Sequence, residues 1–105
     1  MRKRNRSPDS EGIIYFALAP EVSRVKIGFT QDVKERFRKL QANSPVRLEL
    51  LNYVHGTGRL ENILLDLFRT YRVHGEWFNA SFELITFISS LEQGAQVTPE
   101  KLILK

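Results

Sequence analysis

The sequence predicts an α+β domain in which a three-stranded antiparallel sheet is flanked by helices, in the order β-β-α-β-α-α. Three observations carry this. Two apolar runs rich in β-branched and aromatic residues, 13–19 and 24–29, flank a short polar segment that opens on Pro20, the pattern of a hairpin. Two later stretches place apolar residues at helical spacing, and a run that alternates in its early part, 46–54, lies between them. At 105 residues the chain is one domain with one modest core.

Taken in order, residues 1–11 are polar, contain Pro8 and have no periodicity, so they read as a disordered basic arm ahead of a domain over 12–93. Both hairpin strands are too apolar to be half exposed, so both faces of this ribbon need cover from later elements. Asp32 followed by Glu35 resembles a capping box, and Val33, Phe37 and Leu40 at i, i+4 and i+7 give a helix over about 32–41. Asn43-Ser44-Pro45 ends it, because the residue before proline avoids the helical region. The third strand follows and is broken by His55-Gly56-Thr57-Gly58. Leu60, Ile63, Leu64, Leu67, Phe68 and Tyr71 then form a full helical stripe over about 59–71, closed by Gly75. After Glu76-Trp77-Phe78, which holds the only tryptophan, Asn79 or Ser81 caps a helix over about 81–92 with Leu84, Ile85, Ile88 and Leu91 on one face. Residues 94–105 form a tail containing Pro99 and a short apolar end.

Composition narrows the function. There is no cysteine, which removes disulfides and cysteine-ligated zinc, and His55 and His74 lie beside glycines at no metal-ligand spacing. No apolar run has signal-peptide or membrane-spanning length, so a cytoplasmic protein without membrane contact is expected. The net charge of +4 equals the contribution of Arg2, Lys3, Arg4 and Arg6, since the other twelve basic residues are matched by twelve acidic ones. Residues 13–40 nevertheless hold six basic residues against three acidic. Positive charge thus gathers at the arm and around the hairpin and first helix, where Lys34 and Arg38 add to a candidate nucleic-acid face. A solvated tail explains the four arm cations as well as phosphate contact does.

No nucleophile elbow, P-loop or dinucleotide fingerprint is present. What remains is Tyr15 and Lys26 on paired strands, Arg36 on the first helix and Glu61 on the second. On a helical wheel Arg36 lies about 70° and Glu61 about 90° from the centre of its apolar stripe, so both border the core. A hard divalent cation is satisfied by one carboxylate, waters and a substrate phosphate, so a lone glutamate is enough protein for a metal site. An arginine fork clamps phosphate oxygens, and a tyrosine or lysine orients or deprotonates an attacking water. Three of the four also have an ordinary explanation: Glu61 favours a helix N-terminus, the Arg36 stem covers apolar surface, and Tyr15 fills a core.

At these residues the chain resembles the GIY-YIG nuclease superfamily. Gly12-Ile13-Ile14-Tyr15 is similar to its first motif with one residue inserted, and Lys26-Ile27-Gly28 to its second with lysine replacing tyrosine. Arg36, Glu61 and Asn79 stand in the order of the superfamily's arginine, metal-binding glutamate and late asparagine, and Gly75-Glu76-Trp77-Phe78 resembles the ending of a small branch. The resemblance implies a magnesium-dependent endonuclease, with manganese as a substitute ion. It implies Glu61 as metal ligand, Arg36 as phosphate clamp, Tyr15 as the group that orients water or accepts its proton, and Lys26 in place of the second tyrosine. Gly28 and Asn79 would support them. DNA ranks before RNA as substrate. Leu40 and Leu65 stand where many members have histidine. The alternative is a module of the same fold without turnover, binding nucleic acid through its arm or a protein partner through Glu76 to Phe78.

Overall fold

The computed structural model describes residues 8–103. The hairpin forms as expected, from β1 (Glu11–Ala19) and β2 (Arg24–Thr30), joined by a 3-10 turn at Pro20–Val22. They pair antiparallel, with Tyr15 opposite Gly28 and Ala17 opposite Lys26. Helix α1 (Val33–Ala42) starts at Asp32, whose side chain accepts a hydrogen bond from the Glu35 backbone N–H at 3.1 Å.

The sheet is not three-stranded. It has five strands in the order β3-β1-β2-β5-β4, all antiparallel, with β3 at Glu49–Thr57, β4 at Arg72–His74 and β5 at Trp77–Asn79. The extra pair comes from the aromatic segment: Gly75 takes φ +55°, a left-handed conformation that suits glycine, and turns the chain back on itself. β5 then docks on β2, with Val25 opposite Phe78 and Lys26 opposite Trp77. The Ile27 N–H donates to the Glu76 carbonyl at 3.0 Å, and the Ala80 N–H donates to the Ser23 carbonyl at 3.0 Å, extending the ladder. An exposed edge of β2 is thereby removed.

Three boundaries also move. β3 begins at Glu49 rather than Val46, because the Gln41 side chain holds the preceding residues, donating to the Val46 carbonyl and accepting from the Leu48 N–H. It continues through His55-Gly56, which pair with Ile13 and Gly12 on β1. Helix α2 (Gly58–Leu67) stops short of Tyr71, the chain tightening into a 3-10 turn at Arg69–Tyr71. Helix α3 (Phe82–Ser90) is capped by Ser81, which accepts from the Leu84 N–H at 3.1 Å. A short fourth helix, α4 (Pro99–Ile103), lies in the stretch expected to be tail.

Strand alternation sorts the sheet into two faces. On one, Ile14, Phe16, Val25, Ile27, Val54 and Phe78 meet Leu60 and Leu64 of α2, Phe68 just after it, and Leu84 and Ile88 of α3, forming the main core. Asn52 ties α3 to this face, its amide donating to the Ile88 and Leu91 carbonyls at 2.9 and 3.0 Å. The other face carries Tyr15, Ala17 and Ala19 on β1, Gly28, Lys26 and Arg24 on β2, and Trp77 on β5. The segment after α1, around Pro45 and Leu48, lies beside the Ala19 and Trp77 end of that second face. Helix α1 packs against β1, and its stripe of Val33, Phe37 and Leu40 is half-buried and separate from the main core.

Candidate functional site

The site is built on the hairpin register. Tyr15 is 1% exposed, and its ring lies across the backbone of Gly28 so closely that a Cβ there would overlap the ring's Cζ, Cε2 and hydroxyl. Gly28 is therefore the residue that lets this tyrosine lie flat on the sheet, a close-approach requirement independent of backbone angle.

Two residues along the same face, Lys26 is held from the β5 side. Its Nζ is 3.1 Å from Glu76 Oε1, with the two side chains 18% and 17% exposed, and 5.8 Å from the Trp77 ring centroid. Glu76 and Trp77 were absent from the expected site. They are separated from Lys26 by about half the chain, and the pairing depends on the β2–β5 ladder; the sequence clues were a charged residue set against Trp-Phe and the resemblance of Gly75-Glu76-Trp77-Phe78 to a branch ending, neither of which points to Lys26.

Arg36 comes from α1, is exposed, and makes no ion pair among the described residues. It lines a cleft of about 480 Å³ with Phe29, Thr30, Gln31, Asp32, Glu35 and Lys39, at the end of β2 that follows Gly28. Its neighbours are differently engaged: Arg38 pairs with Glu35 at 2.7 Å, and that hydrogen bond, ahead of the opposing effect of desolvation, holds the Glu35 carboxyl below its usual range. Lys34 is exposed on the same helix.

Glu61 sits in the first turn of α2, between Leu60 and Leu64 of the core, and is 0% exposed. It is the one fully buried charged side chain among the described residues, and it is engaged by a partner. Such burial is costly for a carboxylate that is not paired or coordinated. Helix α2 packs on β1, β2 and β3, and its Asn62 and Leu65 line a hollow of about 460 Å³ with Glu76, the partner of Lys26.

Tyr15, Gly28 and Lys26 thus share one sheet face, with Asn79 at its β5 end opposite Arg24; Arg36 borders the cleft at the other end of β2, whereas Glu61 lies on α2, the helix that packs on the core face of the sheet, so the four expected residues do not line one cleft. Arg2, Lys3, Arg4 and Arg6 lie outside the described residues. Phe78, one of the three residues expected to offer a protein surface, is fully buried in the sheet. Among the described residues no group of three or more His, Cys, Asp or Glu side chains is placed to hold a metal, and no helix is long and apolar enough to cross a membrane.

A family model, the T5orf172 domain, matches residues 12–93. No curated protein and no solved structure matches the chain. The match is compatible with nucleic-acid interaction and consistent with a nuclease-related or DNA-binding role.

Proposed function

The chain belongs to the T5orf172 domain family, and from that premise we propose that it is a divalent-metal-dependent endonuclease of the GIY-YIG kind, hydrolysing phosphodiester bonds of DNA. The observation that carries this reading is Tyr15 laid on Gly28 with the Lys26 ammonium on the same face. A phenol and a fixed cation, one step apart on a rigid sheet, suit a phosphate diester and the water that attacks it.

In this reading Lys26 and Arg36 hold phosphate oxygens. The carboxylate of Glu76, 3.1 Å from the Lys26 ammonium, fixes where that ammonium sits on the face, which suits phosphate holding. Arg36, which makes no ion pair among the described residues, presents its fork at an open cleft that it shares with Lys39, Asp32 and Glu35. The Tyr15 hydroxyl orients the water or takes its proton, which, with Tyr15 only 1% exposed, requires its cover to open first.

The donor chemistry at Glu61 fits a hard cation: one carboxylate oxygen donor at a helix N-terminus, the remaining positions being left to waters and phosphate. Because Glu61 is fully buried, occupancy requires that whatever covers it moves aside. Magnesium, or manganese, held by Glu61 would neutralise charge on the scissile phosphate. The test is cleavage of plasmid and branched DNA with magnesium and with chelator; cutting that ignores the chelator overturns the metal role.

The complete burial of Glu61 favours a second reading, nucleic-acid binding without turnover. Tight binding with no cutting of any DNA or RNA substrate selects it.

A further inference from the structure

The second sheet face continues past Lys26 into a hollow of about 230 Å³ that the proposed chemistry leaves unused. Trp77 forms one wall, Val22, Pro45 and Leu48 form apolar walls, and Arg24 and His74 lie at its border. Trp77 stands directly opposite Lys26 across the β2–β5 pair, with the Lys26 Nζ 5.8 Å from its ring centroid.

The hollow is smaller than the roughly 300 to 1,000 Å³ typical of sites for drug-sized ligands, so it suits a single ring system rather than a folded peptide segment. Two of its polar groups are turned to the protein's own backbone. The Ser44 hydroxyl donates to the Val46 carbonyl at 2.7 Å, and Arg24 donates to the Val22 carbonyl at 3.0 Å. An occupant is therefore held chiefly by stacking on Trp77 and apolar contact, with His74 the polar side chain left beside it. Beside it stand Arg24 and, next along the face, the Lys26–Glu76 pair; Arg24 supplies the positive charge that complements a phosphate chain, and Lys26 meets a phosphate by sharing its ammonium with Glu76. A flat apolar body attached to a polyanion is a nucleobase.

We propose that this hollow receives one unpaired nucleobase, stacked on Trp77, from the strand whose phosphate Lys26 holds. The proposal rests on Lys26 as a phosphate-holding residue. It makes the protein selective for gapped, flapped or otherwise unpaired DNA over continuous duplex, and indifferent to which base enters, because every base offers a π-face.

Trp77 is the only tryptophan in the chain, so its fluorescence reports the hollow directly. The full chain is titrated, in chelator, with a dye-labelled gapped duplex carrying one unpaired thymine, and with the same duplex abasic at that position; dye anisotropy gives binding and tryptophan emission gives stacking. The expected result is strong quenching by the thymine substrate, weak quenching by the abasic one, and affinity lower by about tenfold for the latter. Trp77→Phe, which keeps an aromatic wall and the strand, retains the preference, and Trp77→Leu loses it. Binding in which the two substrates are equal in affinity and quenching overturns the base site alone. No binding to any nucleic acid overturns both this proposal and the reading of Lys26 beneath it.

Discussion

Placing alanine at position 28 drives a methyl group into the ring of a tyrosine that has no solvent to move into. The added Cβ meets Cζ, Cε2 and the hydroxyl of Tyr15, whose side chain is 1% exposed and flanked by β2 on one side and Tyr53 of β3 on the other. Overpacking of this kind costs about 1 to 3 kcal/mol. For a domain of this size 2 kcal/mol lowers Tm by about 8 to 16 °C. Tyr15→Leu removes every atom that the new methyl would strike, since leucine ends before the positions of Cε2, Cζ and the hydroxyl. In that background Gly28→Ala is expected to cost less than about 0.5 kcal/mol, leaving a coupling of about 1 to 3 kcal/mol in a double-mutant cycle. The four proteins are compared by urea denaturation with m held common. Costs that add within about 0.5 kcal/mol would refute the argument that Gly28 exists to seat Tyr15.

The Lys26–Glu76 pair is neither surface nor core, with both side chains about one-fifth exposed, so Glu76→Gln is expected to cost about 2 kcal/mol, between the values for exposed and buried pairs. Lys26→Met combined with Glu76→Gln should cost less than the two changes summed, as read by denaturant midpoints; strict additivity would mean the ion pair is incidental. Deleting residues 1–6 removes Arg2, Lys3, Arg4 and Arg6, and if all four meet phosphates the slope of log affinity against log salt falls by about 3 to 4 units. An unchanged slope leaves the arm a bystander.

How much of this was readable in the chain follows from the range of each signal. The β1–β2 hairpin and the Asp32 cap are local patterns that formed where expected, and the Leu60-to-Tyr71 stripe formed an α-helix only as far as Leu67 before tightening into a 3-10 turn. β4 and β5 are three residues each, too short for alternation to show, and exist because the edge of β2 was open to them. β3 passed through His55-Gly56 because Gly12 lies opposite, a partnership more than forty residues long. The same limit applies to the site. The hairpin register put Tyr15 over Gly28 and Lys26 on the same face, whereas Glu76 and Trp77 reached Lys26 only through the added strand. The depth of Glu61 was also not in its wheel position, which put it at the core's border; packing of α2 against three strands took it to full burial.

The most direct test is Glu61→Gln, which keeps the side chain's shape and removes the charge that would hold an ion. The wild type is expected to cut structured DNA with magnesium, and the variant to retain metal-free DNA binding within about threefold while cleavage falls by about two orders of magnitude or more. A variant that folds, binds and still cuts at the wild-type rate would contradict Glu61 as the metal ligand.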